Sequence, residues 1–261
     1  MMGIFYATPA WLLTIMVTLG FVVVACAGHI VVRRSFPASD FVEHNEVAGF
    51  IIAVVGVLYA VLLAFLTIVV WERFSQSEDR AHQEVDAATD VWRFAAYLAA
   101  PDERRIAADL DRYAEVVISD EWPKMRRGGS SVQAQVLIVR LLGDAVELPV
   151  KTLRDANLQN HLLDRVQTMA DLRRRRINDN QSGVPSILWL ALIVGASTVI
   201  GFIYLFGLKN FRVQLMMTAA TATVIGLSFS VVIALDYPFR GDISISPERW
   251  VALHEVIEAG R

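Results

Sequence analysis

The sequence predicts an all-α integral membrane protein, with four transmembrane helices and a helical cytoplasmic bundle inserted between spans two and three. Three observations predict this fold class. Four long stretches lack Asp, Glu, Lys and Arg, one segment between them holds most of the charge, and apolar residues in that segment recur at helical spacing. The expected regions are spans one and two at 1–71, the bundle at 72–183, spans three and four at 184–235, and an interfacial elbow with a C-terminal amphipathic helix at 236–261.

The four uncharged stretches cover residues 11–32, 47–71, 184–208 and 213–235. At a rise of about 1.5 Å per residue, a helix of such a length crosses the roughly 30 Å hydrocarbon core of a bilayer. Only helices and closed barrels satisfy their backbone polar groups there, and these stretches lack the alternation of barrel strands. Four runs of this length in one chain also argue against buried core helices of a soluble protein.

Basic residues near the span ends predict the orientation. One side would hold four of them: Arg33, Arg34, Lys209 and Arg212. The other would hold seven: Arg73, Arg80, Arg173, Arg174, Arg175, Arg176 and Arg240. This imbalance favours cytoplasmic termini and a cytoplasmic insert. The arginine run at 173–176 has a plainer interpretation as a solvated helix face that pairs with Asp171 and Asp164.

The insert is expected to consist of four amphipathic helices. The first continues span two until Pro101, and the second ends near Trp122 and Pro123, before a loop at 126–131. Their apolar positions are Phe74, Ala81, Val85, Ala88, Trp92, Ala95 and Ala99, then Ile106, Leu110, Tyr113 and Val117. The third and fourth helices are indicated by Val132, Val136, Val139 and Gly143, then by Leu158, Leu162, Val166, Met169 and Ile177.

The second span carries a continuous line of small side chains, which we call the small-residue stripe. Its members are Gly49, Ala53, Gly56, Ala60, Ala64 and Thr67. Small residues let helices approach closely in lipid, so the stripe predicts either a tight helix–helix seam within one subunit or a pore lining around a symmetry axis. The fourth span has a mixed face of Thr218, Thr221, Ala222, Ile225, Ser228 and Val232, whose hydroxyls are expected to bond back to their own helix.

The sequence offers no catalytic set, cofactor motif or convincing metal site, so we expect no enzyme and no cofactor. No span contains a carboxylate, Lys or Arg, which argues against a proton-coupled pump. His29 is interpreted as an interfacial residue. Glu43, His44 and Glu46 could ligate a metal, but capping or solvation at a helix entrance explains them better.

The segment after the fourth span predicts a structural elbow, with a gating role as the alternative. Pro238 stops regular helix, while Asp236 and Arg240 could pair across a turn at Gly241. Positions 246–248 suggest a helix N-cap, a first-turn proline and an acidic residue. The helix that follows places Trp250, Leu253 and Ile257 on one face.

Two motifs resemble the bestrophin-like family of bacterial membrane proteins. They are LYAVLLAF at 58–65 with VWERF at 70–74, and LDYPFRGDISISPE at 235–248. The resemblance covers nearly the whole chain and implies kinship with bestrophins, which are oligomeric anion channels with four spans and cytoplasmic termini, and whose second span lines the pore neck. It also implies a bacterial inner membrane location. The aromatic neck and the acidic calcium clasp of other members are not evident in this sequence.

Our leading hypothesis is a homo-oligomeric passive ion channel subunit, with four or five copies in a lipid bilayer, conducting inorganic ions and binding no nucleic acid. The small-residue stripe would line the pore. Glu46 and Glu72 would lie at its mouths, where carboxylates concentrate cations, so we lean towards cations. The alternatives are a bestrophin-type anion channel, a non-conducting signalling or scaffold protein, and a membrane-embedded enzyme. Glu46 and Glu72 could also be structural partners of Arg33, Arg34 and Arg73.

Overall fold

The computed structural model describes residues 8–36, 45–208 and 210–260, and every regular element in these ranges is a helix. The elements are α1 (Ala10–Ser35), α2 (Asn45–Ala95), α3 (Ala100–Val116), a π-helical segment (Val117–Glu121), α4 (Trp122–Met125), α5 (Val132–Val146), α6 (Leu153–Gln181), α7 (Ser186–Tyr204), α8 (Phe211–Leu235) and α9 (Glu248–Ala259). They form two compact units. The first comprises Met1–Arg73 and Val184–Asp236, and the second Phe74–Gly183 and Tyr237–Arg261.

Four helical segments of the described chain are long and apolar enough to cross a membrane: Ala10–Ser35, Asn45–Ala95, Leu153–Tyr204 and Phe211–Leu235. The third is interrupted at 182–185, so its apolar part is α7. The predicted all-helical fold with apolar, span-length helices is therefore confirmed. The order of crossings and the side of the membrane remain predictions, and Lys209 of the orientation argument lies outside the described residues.

In the first unit, α1 packs along α8 through small and aromatic residues. Gly226 lies so close to α1 that a Cβ atom there would be 2.8 Å from the Cα atom of Thr18. Next to this contact, the rings of Phe21 and Phe229 are 4.7 Å apart. His29 is buried between the two helices, with its Nδ1 atom 3.0 Å from the Thr218 hydroxyl, and its predicted place near the membrane interface stays a prediction. The two helices therefore share a packed and partly polar seam.

Hydroxyl groups on α8 bond mainly within their own helix, as expected. Thr218, Thr221 and Ser228 each donate to the carbonyl four residues earlier. Such bonds satisfy the hydroxyls without any wet path through the unit. The mixed face of α8 is consequently a packing surface in the single chain.

The ends of the first unit are tied by polar side chains. Asn45 both donates to the Gly207 carbonyl and accepts from the Gly207 amide, at 3.2 and 2.9 Å. The Tyr204 hydroxyl donates to the carbonyl of Ala25 at 2.7 Å. The bonds to Gly207 satisfy backbone groups of the turn after α7, and the Tyr204 bond adds a second donor to a carbonyl inside α1.

The second unit is a helical bundle around one apolar core. The expected faces of α6 and α9 are buried in it, through Leu162, Val166 and Met169 and through Trp250, Leu253 and Ile257. The predicted face of α2 is also confirmed by its buried members Ala81, Val85, Ala88 and Ala95.

Several predicted boundaries are wrong by a few residues. Helix α2 ends at Ala95, and Pro101 lies in the first turn of α3, where a proline needs no amide hydrogen. Pro123 does not stop the second helix of the bundle, which continues through the π-helical segment and α4 to Met125. Helix α9 begins at Glu248 without a side-chain cap.

The predicted core face of α5 is wrong. Val132, Val136 and Val139 are 77%, 60% and 58% exposed. The buried face consists instead of Ala134, Leu137, Ile138, Leu141 and Ala145. Because α5 is apolar on both faces, helical periodicity alone could not indicate which face packs inside.

We expect Gly226→Ala to lower the thermal stability of the detergent-solubilised protein. The added methyl group would press on the backbone of α1, and overpacking of this kind typically costs about 1–3 kcal/mol. Tryptophan fluorescence during heating measures the change in Tm.

Gly201→Ala is the matched control, since a Cβ atom there would meet nothing within 4 Å. Its Tm should stay the same or rise slightly, because alanine favours helix. Equal melting of the two variants would show that the contact between α1 and α8 is looser than described.

Candidate functional site

The small-residue stripe is largely uncovered in the single chain. Ala53, Ala60 and Ala64 are exposed, and Gly49, Gly56 and Thr67 are half-buried. A Cβ atom at Gly56 would meet no neighbour within 4 Å. The stripe therefore forms no tight seam within one subunit, which leaves other subunits, lipid or a pore as its surroundings.

Helix α2 packs inside the first unit through larger side chains. Tyr59, Leu66 and Val70 are buried. The Tyr59 ring lies over Gly195 of α7, where a Cβ atom would be 2.4 Å from the ring. One side of α2 therefore contacts its own chain, and the small-residue stripe lies outside this contact.

The two carboxylates that flank the uncharged part of α2 are exposed. Within the described chain, neither Glu46 nor Glu72 forms an ion pair. Arg33, a suggested partner of Glu46, donates instead to the carbonyl of Leu208 at 2.7 Å. Of the suggested metal ligands, Glu43 and His44 lie outside the described residues, and the described chain contains no group of three or more potential metal ligands.

The elbow residues have defined partners within each unit. Asp236 accepts the amide hydrogen of Val184 at 2.6 Å. Arg240 donates to the backbone and side chain of Asn180, and its guanidinium lies 4.1 Å from the centre of the Tyr237 ring. The carbonyl of buried Pro238 accepts from the amide of Ile245 at 2.9 Å. A gating role for these residues stays a prediction.

Four buried charged side chains in the second unit form a connected cluster, which we call the charge network: Glu84, Glu121, Arg173 and Arg176. Arg176 binds Glu84 at 2.6 Å and Glu121 at 2.7 Å. Arg173 also binds Glu121, and it donates to Gln135 and to the carbonyl of Ser131. The network thus holds two positive and two negative charges that neutralise each other.

Neighbouring charges favour the ionised forms of Glu121 and Arg176 despite their burial. Burial opposes the charged form of Glu121, but Arg176 and Arg173 outweigh it and hold the pKa of Glu121 below its ordinary value. Burial alone would lower the pKa of Arg176, whereas Glu84 and Glu121 raise it above its ordinary value. Burial and the negative charge of Glu84 raise the pKa of Tyr113, which stays a neutral donor to Glu84 at 3.0 Å.

Local structure explains how Glu121 reaches both arginines. It ends the π-helical segment, and such segments add a residue to a helical turn and shift the side chains that follow. The next residue, Trp122, places its ring 4.7 Å from the Arg176 guanidinium and donates from Nε1 to the carbonyl of Ile245 at 3.0 Å. The network therefore also fixes the segment before α9.

Sequence reasoning missed this network because the run at 173–176 was interpreted as a solvated face. The structure divides the run: Arg173 and Arg176 are buried, whereas Arg174 and Arg175 are exposed. A signal was available, since positions 162, 166, 169, 173 and 176 continue one helical face. Arginine on an otherwise apolar face predicts a buried carboxylate partner.

Comparison with known proteins identifies the family. The bestrophin-like domain model matches residues 19–250. The chain belongs to the bestrophin-like family. This match confirms the resemblance carried by the two motifs. No curated protein matches the sequence.

Solved structures show the same bestrophin fold. A crystal structure of a bacterial bestrophin homologue from Klebsiella pneumoniae has a TM-score of 0.64 at 14% identity, with 92% of this chain and 95% of that chain covered. A point variant of that homologue has a TM-score of 0.65 at 14% identity, covering 93% and 96%. A crystal structure of a further membrane protein variant has a TM-score of 0.66 at 13% identity, with 93% of this chain and 96% of that chain covered. Identities this low establish the fold alone.

Arg176→Met should strongly destabilise this family member. Methionine keeps much of the side-chain length but leaves Glu84 without its arginine partner and Glu121 with only Arg173. Breaking a buried pair from one side typically costs about 3–5 kcal/mol. Thermal unfolding followed by tryptophan fluorescence measures the loss.

Arg175→Met is the neighbouring control, because Arg175 is exposed and its replacement should change stability by no more than about 0.5 kcal/mol. Adding Glu84→Gln to Arg176→Met should recover part of the loss, since it removes the stranded charge. Similar Tm values for the two single variants would contradict the role of the charge network.

Proposed function

We propose that the chain is a subunit of a homo-oligomeric passive ion channel, in which the small-residue stripe of α2 lines the pore. The observation that carries the proposal is the stripe itself, which is uncharged, continuous and largely uncovered in the single chain. A helix whose small side chains face a shared axis leaves space between neighbouring copies. The same residues allow the backbones to approach closely.

Family membership supports transport rather than catalysis. Characterised members of the bestrophin-like family are ion channels. A pump driven by protons or an ion-coupled carrier generally needs ionisable groups inside the spans. The uncharged span of α2 instead fits passive conduction.

The charges beside the stripe favour cations. Glu46 and Glu72 are exposed and have no ion pair in the described chain, so in a symmetric assembly each would form a ring of carboxylates. Such rings raise the local concentration of cations and repel anions. The proposed assembly has four or five copies, with both termini and the second unit in the cytoplasm.

Gly56→Leu and Ala60→Leu should each reduce ion flux into proteoliposomes by at least about tenfold, or prevent assembly, because each adds bulk where backbones approach. Flux and native mass spectrometry together distinguish the two results. Val57→Leu is the control: this side chain is 63% exposed beside the stripe, and a longer apolar group is acceptable in lipid.

Normal assembly and flux in both stripe variants would show that the small-residue stripe faces lipid. Vesicles that stay tight with the unmodified protein, across several ions and pH values, would instead favour a non-conducting scaffold.

Reversal potentials across a KCl gradient should lie near the potassium potential. Glu46→Gln and Glu72→Gln should move them towards the chloride potential, since each removes one carboxylate ring. Glu115→Gln, at an exposed position of the second unit, should leave the reversal potential unchanged.

A reversal near the chloride potential that neither substitution at 46 or 72 changes would support anion conduction instead. That result would leave the pore assignment of α2 to be judged by the flux of the leucine variants.

A further inference from the structure

Two carboxyl groups meet inside the second unit, where α3 packs against α5. Asp109 of α3 and Asp144 of α5, which we call the carboxyl pair, are in hydrogen-bonding contact, and their side chains are only 8% and 14% exposed. In each, the Oδ2 atom is buried and accepts no hydrogen bond within the described chain. Two ionised carboxylates in contact repel each other, and a buried oxygen without a donor costs free energy. One proton held between them would remove one charge and supply the missing donor.

The neighbouring arginines do not replace that proton. The Nε atom of Arg140 is 3.2 Å from Asp109 Oδ2 and 3.9 Å from Asp144 Oδ2, but it forms a hydrogen bond with neither. Arg105 lies 3.6 Å from Asp144 and also pairs with Asp102 at 3.3 Å. The Arg140 and Arg105 side chains are 58% and 35% exposed, so water weakens their attraction. Three carboxylates therefore face two arginines, and one negative charge stays unbalanced.

No other charged group on or against α3 pairs with Asp109 or Asp144 in the part of the chain that the structure describes. These groups are exposed Arg112 on α3, the α9 residues His254 and Glu258 with their partner Asp111, and Asp120 and Glu121 of the π-helical segment, which bind Lys124 and the charge network. Asp111 follows Asp109 by two positions, about 200° around the helix. The contact of His254 with Asp111 at 2.6 Å consequently lies on the far side of α3 from the carboxyl pair.

We propose that the carboxyl pair is a proton-dependent link between α3 and α5, which holds the two helices together while it carries one proton and weakens when that proton leaves. The proton is the donor that the two buried oxygens lack. With it, the cluster of three carboxyl groups and two arginines is electrically neutral. Without it, two negative charges share a buried site.

The acidity of Asp109 gives the pH range of the link. Burial and the Asp144 carboxyl raise the pKa of Asp109 to about 6, against the opposing attraction of Arg140. An aspartate in an unfolded chain titrates near about 3.9. Between these values the folded protein keeps a proton that the unfolded chain releases. The stability that the link contributes is therefore complete below about pH 4 and is lost as pH rises through about 6.

Infrared difference spectroscopy of the full chain in detergent measures this protonation directly. Between about pH 5.5 and about pH 8, most exposed carboxyl groups stay ionised, whereas the carboxyl pair should lose its proton. We expect a carboxylic acid C=O band at the lower pH that disappears at the higher one. Asp109→Asn should abolish the band, and Glu115→Gln, which removes an exposed carboxylate from the same helix, should leave it. No such band in the unmodified protein, or its persistence in Asp109→Asn, would overturn the proposal.

Thermal unfolding at the same two pH values measures the effect on stability. Asparagine is neutral and carries an N–H donor, so Asp109→Asn imitates the protonated pair. Its Tm should lie close to that of the unmodified protein at about pH 5.5 and several degrees above it at about pH 8. Glu115→Gln should follow the unmodified protein at both values. An Asp109→Asn difference that is the same at both pH values would overturn the proposal. Neither measurement needs ion flux, so a failure here leaves the proposed channel untouched.

Discussion

The second unit depends on the pairing of two acidic and two basic side chains in its interior. A carboxylate or guanidinium removed from water costs several kcal/mol unless its charge and hydrogen-bonding capacity are met. Glu121 can meet both arginines only because the π-helical segment presents it between them, and Glu84 must come from α2 at the same depth. We infer that this requirement sets the register of α6 against α2. Apolar packing alone specifies that register less strictly.

Features that depend on a long stretch of sequence can be predicted better than features that depend on which face of a helix is buried. The uncharged runs indicate the span-length helices because hydrophobic length is a property of the whole segment. The face of α5 could not be predicted, since Val136 and Leu137 are equally apolar and only tertiary contacts distinguish them. The charge network could not be paired from the sequence because its partners are 52 to 92 residues apart, as Arg173 and Glu121, and Arg176 and Glu84, show.

The two uncovered apolar surfaces have different physical meanings. Around the small-residue stripe, lipid is a permissible neighbour, so exposure there carries little energetic cost and says little about stability. The exposed valines of α5 lie in the charge-rich second unit, and in water each would forgo up to roughly 1.5–3 kcal/mol of burial.

The divided arginine run has a consequence for how the protein is made. Orientation in the membrane is influenced by basic residues while the chain is being inserted. At that moment Arg173 and Arg176 need not yet be paired with Glu84 and Glu121. All four arginines of the run at 173–176 can therefore act as signals that keep this segment on one side of the bilayer. Folding then withdraws two of them into the interior. With the predicted orientation, the same side chains would act first in membrane insertion and afterwards in the folded interior, so a substitution at either position would affect both.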